Sequence, residues 1–279
     1  MRRLLPLLLL LLLSSPVAAA GDPAAGNPVA GTAELPPSIA GLPGRTYHYD
    51  IAFLWFRRLA RGEFYLAPGD TPGIWRAVLD ARTLGIAAWL TRDREQKYES
   101  LMRLDGQGRL HTIWHSSTIY KGKGEKRRGR TKVYHYDHEA RQVRVTVERN
   151  GMVTEGDPMP MPDGKEPVDV LTAFFNFRAG VYGPLEVGRR VVVPTFSRKG
   201  PSDIVIDILP RSDWPSGYRP EGDVLFCRVT LDQEVFNTGG GHVYVWLDRR
   251  GMPLGGVVEN VLGMGDVRGT KVREVVNGE

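Results

Sequence analysis

The feature that most constrains this chain is a period-two alternation of apolar and polar residues, which recurs in short segments from residue 45 onward. In the segment QVRVTVER, Val143, Val145 and Val147 alternate with polar or charged neighbours. This is the pattern of a strand with one buried face and one solvated face. Turn residues such as Asn-Gly at 150–151 separate successive segments and are typical of hairpins between antiparallel neighbours. The alternation therefore predicts an all-β protein.

About a dozen such segments can be counted. A sheet of that many strands normally curls, closes or splits, because strands twist. We therefore predict a large curved antiparallel meander sheet, open or closed and barrel-like. Its concave face must be filled by side chains, by an inserted element or by a ligand. At its start, residues 46–56 (TYHYDIAFLWF) predict the first strand, and the charged residues 57–62 (RRLARG) predict a turn.

One stretch, DVLTAFFNFRAG at residues 169–180, has the pattern of a short inserted helix. Asp169 suits the N-cap, and Gly180 suits the left-handed position after the helix. A helix that is apolar nearly all the way round cannot lie on a wet surface. Burying each large side chain contributes about 1.5–3 kcal/mol, so we predict that this helix covers or plugs the curved sheet. Its apolar residues are Val170, Leu171, Ala173, Phe174, Phe175 and Phe177.

The N-terminal residues predict export. Residues 1–20 combine two early arginines, an apolar run from Leu4 to Leu13 and small residues ending at Ala20, which is typical of a cleaved secretory signal peptide. The run is shorter than the roughly 20 apolar residues of a membrane span, so we expect a soluble periplasmic protein. Residues 21–44, rich in Gly, Pro and Ala, predict a flexible linker, and residues 45–279 predict a single β domain.

The one cysteine, Cys227, excludes an intramolecular disulfide. It alternates with Leu225 and Val229 on one strand face, which predicts a buried and unreactive thiol.

A basic run supplies most of the formal net charge of +5. Clustered cations attract anionic surfaces, so these residues are candidates for anion binding. The alternative is a hairpin tip that is kept soluble by its charge. The candidates are Lys121, Lys123, Lys126, Arg127, Arg128 and Arg130.

No catalytic or metal site is predicted. His111 and His115 lie four apart on a presumed strand and are expected to share a face, but roughly 13 Å would separate them, too far to bind one ion together. Motifs for nucleophiles, dinucleotides and phosphate loops are missing from the sequence, and no cofactor is expected. Carboxylates such as Asp203 and Asp207 leave a hydrolase open.

Aromatic residues make the case for a ligand. They are expected on the inner face, where they would line a pocket for an acyl chain or another hydrophobic guest. They would equally serve as the packed interior of a tight barrel. The candidates are Tyr49, Phe53, Trp55, Trp114, Phe174 and Phe177.

Four segments together resemble the domain-of-unknown-function 3108 family of exported Gram-negative proteins. They are YHYDIAFLWFRRLARGEFYL, DVLTAFFNFRAG, VYVWLDRRGMPL and GMGDVRGTKV, in that order. The resemblance places the family's motif residues on Asp169, Arg178, Trp246 and Asp248. It implies a large antiparallel, barrel-like sheet and no established activity. Thr172 stands where the family often has Ser, and the basic loop is longer and more charged than the family pattern suggests.

These features favour a non-catalytic periplasmic envelope protein that binds a hydrophobic or amphipathic ligand or scaffolds a partner. Two alternatives stay open: an envelope hydrolase acting on glycan or lipid, and a purely structural partner in an envelope assembly. The expected partners are a lipid, a glycan or an envelope protein. Nucleic acid is not expected as a partner of an exported chain.

Overall fold

The computed structural model of the protein describes residues 42–54, 56–85, 88, 93–149, 151–197, 199–231, 242–261 and 264–276. Within these ranges lie one α-helix, α1 (Val170–Arg178), and 15 strands. The strands are β1 (Arg45–Phe53), β2 (Phe56–Pro68), β3 (Ile74–Thr83), β4 (Glu95–Leu104), β5 (Leu110–Lys121), β6 (Arg128–Asp137), β7 (Gln142–Arg149), β8 (Met152–Glu155), β9 (Met159–Pro160), β10 (Arg190–Ser197), β11 (Gly200–Leu209), β12 (Leu225–Thr230), β13 (Val243–Leu247), β14 (Pro253–Val258) and β15 (Val267–Val276).

The strands form one antiparallel meander. Their hydrogen-bonded order is β10-β11-β12-β13-β14-β15-β1-β2-β3-β4-β5-β6-β7-β8, and β9 pairs with β7. The pairing of β1 with β15 joins the first and last described strands in the middle of the sheet. Among the described strands no ladder joins β8 to β10, so backbone hydrogen bonds do not close the sheet. The predicted curved antiparallel meander with one inserted helix is confirmed.

The two ends of the sheet meet through side chains and through the connection before α1. Phe196 on β10 packs edge-on against Tyr136 on β6, with ring centroids 6.4 Å apart. Met161, from the connection, lies in the same buried cluster. Further along the connection, the backbone N–H of Val168 donates to the carbonyl of Pro194 at 3.0 Å. Packing therefore completes the barrel-like shape where no ladder does.

Helix α1 lies inside the curved sheet, between two core clusters. Leu171 and Phe175 belong to a cluster with residues of β1 to β5 and of β13 to β15. Ala173 and Phe177 belong to a second cluster with residues of β10 to β13. Both sides of the helix are thereby removed from water, which is the condition that its apolar composition demands.

A further cluster covers the outer face of β12 to β14. Trp246 stacks on Phe226 at 5.9 Å, and Trp214 from the connection before β12 stacks on the same ring at 4.9 Å. Gly255 pairs with Trp246 across the hairpin. A Cβ atom on Gly255 would lie 1.3 Å from the indole Nε1, so the absence of a side chain there is what lets the indole lie flat on the sheet.

The first hairpin differs from the prediction. β1 ends at Phe53, which pairs with Phe56, and the predicted turn RRLARG lies inside β2. Its arginines belong to a solvated strand face: Arg58 and Arg61 each lie 3.6 Å from a carboxylate oxygen of Asp50 on β1. The charged residues therefore do not mark a turn. An antiparallel sheet commonly keeps one face in water, and charged side chains can lie on that face of a strand.

The ordered core begins before the predicted domain boundary. Leu42, which falls in the predicted linker of residues 21–44, is buried in the core beside β1. Residues 1–41, with the predicted signal peptide, lie outside the described residues. Across the described ranges, no helix is both long and apolar enough to cross a membrane.

Candidate functional site

A buried polar cluster around Asp169 holds the N-terminal end of α1. Asp169 Oδ1 accepts from the backbone N–H groups of Leu171 and Thr172, at 2.8 and 3.3 Å. Hydroxyl groups from two strands reach the same carboxylate: Ser100 on β4 donates to Oδ1 at 2.6 Å, and Thr112 on β5 donates to Oδ2 at 2.7 Å. The Thr172 hydroxyl also donates to Oδ2, so the threonine supplies the hydroxyl that a serine would supply.

His115 completes this cluster, and its position decides what the cluster can do. Its Nδ1 lies 2.9 Å from Ser100 Oγ and 3.2 Å from Asp169 Oδ1. In a Ser-His-Asp relay, the carboxylate and the nucleophile contact opposite ring nitrogens, whereas here both contact Nδ1. Ser100 is fully buried and donates its proton to Asp169. The cluster therefore holds the helix and is not arranged to activate Ser100 as a nucleophile.

The charge state of Asp169 follows from these partners. Burial opposes ionisation and acts to raise its pKa, but the His115 ring and the hydrogen bonds from Ser100 and Thr172 outweigh burial, so the pKa lies well below its usual range. Asp169 is therefore an ionised carboxylate at neutral pH, and every nearby donor stabilises its charged form.

Helix α1 also carries a polar stripe, which the sequence analysis described as nearly absent. Asp169, Thr172 and Asn176 are three and four residues apart and so share one face. All three are buried. The Asn176 side chain bonds both backbone groups of Leu110 on β5. The helix is thus apolar toward the two core clusters and polar toward β4 and β5.

The C-terminal end of α1 is anchored by Arg178. Its guanidinium donates to the Tyr47 hydroxyl and to the carbonyl of Arg250, each at 3.4 Å. Asp248 shapes the turn that presents this carbonyl, because its Oδ1 accepts from the backbone N–H groups of Arg250 and Met252 at 2.9 and 2.7 Å. Arg178 and Asp248, two residues of the motif that the resemblance implies, therefore act together to position the helix.

A β-bulge changes the direction in which the residues of β5 point. Met102 pairs with Thr112, and the neighbouring Leu101 pairs with Trp114, so Ile113 is the extra residue on β5. Trp114 therefore shares the outer face with Leu101, and the expectation that it faces inward is corrected. The extra residue inverts the alternation that the sequence pattern implied.

The same bulge separates the two histidines that were expected to share a face. His115 pairs with Ser100 and faces inward, whereas His111 pairs with Arg103 on the outer face. His135, which pairs with Trp114, is exposed on the outer face. These histidines therefore do not converge on one site.

The inner face of β4 to β6 carries a row of polar residues that are only partly buried. One row across β4, β5 and β6 consists of Tyr98, Ser117 and Lys132, which pair in that order. It lies next to the inward-facing row of Ser100, His115 and Tyr134. Inward residues on the opposite wall, such as Tyr49 and Ile51, are fully buried. Several inward side chains of β4 to β6 therefore keep partial contact with solvent at this end of the barrel-like sheet. They are Tyr98, Ser117, Ile119, Arg130, Lys132 and Tyr134.

Apolar side chains with the same partial exposure lie on the inner side of α1 and of β12 and β13. Val170 and Phe174 of the helix, with Val229 and Val245, pack against the core clusters without being fully buried. Phe174 contacts Phe64 at 5.1 Å between ring centroids. The interior therefore combines a polar wall with an apolar wall.

A second candidate is an open cleft of about 780 Å³ beside the β4–β5 hairpin. His111 lines it, with Nε2 2.8 Å from Asp105 Oδ2 and Nδ1 3.3 Å from Glu166 Oε2. The hydrogen bond from His111 lowers the pKa of Asp105 to about 2. His111 thus contacts both carboxylates of this cleft, and Lys165 pairs with Asp203 outside the lining. In the described part of the chain, no group of three or more His, Cys, Asp or Glu side chains is placed to hold a metal ion.

The basic run does not form one anion-binding surface. Lys123 pairs with Asp93 at 2.9 Å, and Arg127 pairs with Glu95 at 2.5 Å while lying over a tyrosine ring. Arg128 donates to backbone carbonyls of its own turn. Lys121 ends β5, and the side chain of Lys126 lies outside the described residues. By register Lys121, Arg128 and Arg130 share the inner face, and of these three only Arg130 is partly buried, whereas the other two are exposed at the end of the hairpin.

The carboxylate pair proposed for hydrolysis lies on the outer face of β11. Asp207 accepts from Arg190 at 2.6 Å and from Arg228 at 3.0 Å, and the Arg190 hydrogen bond is the main cause of its lowered pKa. Asp203 lies 3.5 Å from the Lys165 ammonium. Each carboxylate is therefore neutralised by a cation, and the two are not arranged as an acid and a base.

The predicted aromatic residues separate into different roles. Tyr49, Phe53 and Phe177 are buried in the core clusters. Phe174 is partly exposed at the inner apolar wall. Trp55 lies outside the described residues. The interior is thus filled around Tyr49 and Phe177 and accessible near Phe174.

The inward polar residues of β4 were not predicted. A signal for them exists, because Gln96, Tyr98 and Ser100 alternate with Lys97 and Glu99. A central strand that is polar on both faces needs hydrogen-bond partners on its inner face. Ser100 finds its partner in Asp169, and Gln96 finds one in Tyr98.

The comparisons with known proteins place the chain in a family and give no activity. The family described as "Protein of unknown function (DUF3108)" matches residues 48–270. No curated protein matches. Among solved structures, the chain is similar to a beta-barrel-like protein of domain of unknown function DUF1849 from Brucella abortus. The identity is 10%, the TM-score is 0.45, and the match covers 85% of this chain and 99% of that one.

Proposed function

The chain belongs to the DUF3108 family, and from that premise we propose that it is a non-catalytic periplasmic binding protein that holds an amphipathic ligand inside its barrel-like sheet. One observation carries this proposal. At one end of β4 to β6, inward residues such as Tyr98, Ser117 and Lys132 stay partly exposed, whereas inward residues on the opposite wall, such as Tyr49 and Ile51, are fully buried. A closed and filled core would bury both walls alike.

The character of the two walls favours an amphipathic guest over a purely apolar one. Tyr98, Ser117 and Lys132 offer hydrogen bonds and charge on one side. Phe174 and Val245 offer apolar contact on the other side. Binding sites for small ligands commonly combine a mainly apolar lining with a few placed polar groups. Scaffolding of a partner protein has no comparable support from the described residues.

Displacement of a hydrophobic fluorescent dye tests the proposal. The mature chain should bind 1-N-phenylnaphthylamine, and amphiphiles below their critical micelle concentrations should displace it. Val245→Phe, which narrows the inner apolar wall, should weaken dye binding about tenfold. Val192→Phe, at an exposed position of β10, should leave it unchanged. Dye binding that neither variant alters would count against an internal site.

Native mass spectrometry and cell fractionation test the remaining parts. A ligand that survives gentle purification should appear as added mass on the intact chain. Export predicts a periplasmic product that begins at Gly21. Retention of the first 20 residues in a cytoplasmic product would contradict the proposed location.

A further inference from the structure

We propose that Arg94 and Arg130 form an anion-binding site inside the barrel, which takes the carboxylate or phosphate headgroup of an amphiphile. The inference rests on the proposed function, because it names the part of the ligand that the polar wall recognises. Neither arginine pairs with a carboxylate in the described part of the chain.

Arg94 is a buried guanidinium with too few partners. Its side chain is only 5% exposed, and its one side-chain hydrogen bond to a described residue is from Nη2 to Gln96 Oε1 at 3.3 Å. Its Nε is buried without an acceptor. A guanidinium has five N–H donors, and a buried charge without a counterion is costly. Burial lowers the pKa of Arg94 to about 10, so the group is still charged at neutral pH.

Arg130 approaches the same region from β6. It pairs with Ile119, which pairs with Gln96, so Arg130 and Gln96 lie on the same inner row two strands apart. Its Nε is also buried without an acceptor. Strand spacing and rise place the Cα atoms of Arg94 and Arg130 roughly 12 Å apart, a gap that two extended arginine side chains can close around one anion.

The acidic residues that flank Arg94 in the sequence are paired with other cations. Asp93 and Glu95 flank Arg94, but they pair with Lys123 and Arg127 of the basic run. Lys132 adds a further positive charge on the inner row. Lys123 and Arg127 are therefore not part of the proposed anion site. They are paired with the two carboxylates that flank Arg94 in the sequence.

The chemistry of the pair fits a carboxylate or a phosphate. Arginine presents parallel N–H donors that match the oxygens of both groups. When the headgroup lies between the two guanidinium groups, its alkyl chain packs against the apolar wall of Phe174 and Val245. The inferred ligand is thus an anionic amphiphile.

Dye displacement with a matched set of probes tests this site. Dodecyl phosphate and dodecanoate should displace 1-N-phenylnaphthylamine from the wild-type chain at concentrations about tenfold lower than dodecanol. Arg94→Gln and Arg130→Gln should each weaken displacement by the two anions about tenfold and leave dodecanol unchanged. The control, Arg103→Gln, lies on the outer face of β4 and is exposed, so it should behave as wild type.

The outcomes separate the two proposals. If no amphiphile binds the wild-type chain, the proposed function fails, and this inference fails with it. If anions and dodecanol bind equally, or neither arginine variant alters the preference, only the anion site is overturned. Inorganic phosphate that binds as tightly as dodecyl phosphate would overturn the assignment to a headgroup. If Arg94→Gln does not fold, Arg94→Lys and Arg130→Gln take its place in the same comparison of dye displacement by the two anions and by dodecanol.

Discussion

The side-chain amide of Asn176 occupies the place of a neighbouring strand beside Leu110. Asn176 Nδ2 donates to the Leu110 carbonyl at 2.8 Å, and Asn176 Oδ1 accepts from the Leu110 backbone N–H at 2.9 Å. The ladder between β5 and β6 stops at Trp114, so among the described strands Leu110 has no partner on that side. The helix thus supplies hydrogen-bond partners for the backbone of β5 where that strand extends beyond β6.

Replacing Asn176 with alanine should destabilise the protein by about 2–4 kcal/mol, because a buried N–H and a buried C=O would both lose their partner. Denaturant unfolding, followed by circular dichroism, measures the change. Gln107→Ala, at an exposed position of the β4–β5 turn, serves as the control and should change stability by less than about 0.5 kcal/mol. Equal stability of the two variants would show that the helix is not held at Leu110.

Asp169→Asn should lower stability by about 3 kcal/mol at pH 7, because the buried cluster loses its charged centre. The folded-state pKa of Asp169 is lowered, so its stabilisation is fully present above the unfolded value near 4. It is lost as the pH falls below that value toward the folded pKa. The difference between wild type and variant should therefore shrink between pH 5 and pH 3.

Unfolding by urea at pH 7, 5 and 3 measures this dependence. Asp70→Asn, at an exposed turn, should match wild type at every pH. A constant difference between wild type and Asp169→Asn across the series would mean that the carboxylate charge has no part in holding the helix.

The elements that the sequence predicted well are those set by local patterning. Val143, Val145 and Val147 alternate on β7, and Asp169 caps α1 as its side-chain chemistry requires. These features depend on neighbours within a few residues, so a single sequence contains them. The barrel-like shape followed because so many twisted strands cannot lie flat.

The features that escaped prediction depend on distant partners. The bulge at Ile113 leaves no mark in the alternation of β5 and becomes visible only through the register with β4. Asn176 is polar within an apolar helix, and its partner Leu110 is 66 residues away. The burial of Arg94 is equally hidden from the sequence, because a charged residue is normally solvated and this one is buried by the curvature of the whole sheet.

Cys227 should be unreactive in the native protein. Burial on the inner face of β12 raises the pKa of its thiol to about 12, so the thiolate that reacts is missing at pH 8 and reagents cannot reach the sulfur. An aromatic disulfide reagent should therefore modify it only after denaturation. Val192→Cys, at an exposed site of β10, should add one thiol that reacts at once. Rapid modification of the wild-type chain at pH 8 would contradict the buried position.

Gly255 should not tolerate a side chain. In Gly255→Ala the added Cβ would meet the Trp246 indole, which must then leave its stacked position on Phe226. We expect a loss of about 1–3 kcal/mol, the usual cost of overpacking, together with a red shift of tryptophan fluorescence. Gly217→Ala is the control, because its Cβ would have no atom within 4 Å.

A double-mutant cycle identifies the indole as the cause. In a Trp246→Ala background the clash is gone, so adding Gly255→Ala should cost little more, and the two changes should be strongly non-additive. Full additivity would instead assign the cost to the backbone of β14, since alanine would then disturb the strand whether or not the indole is present.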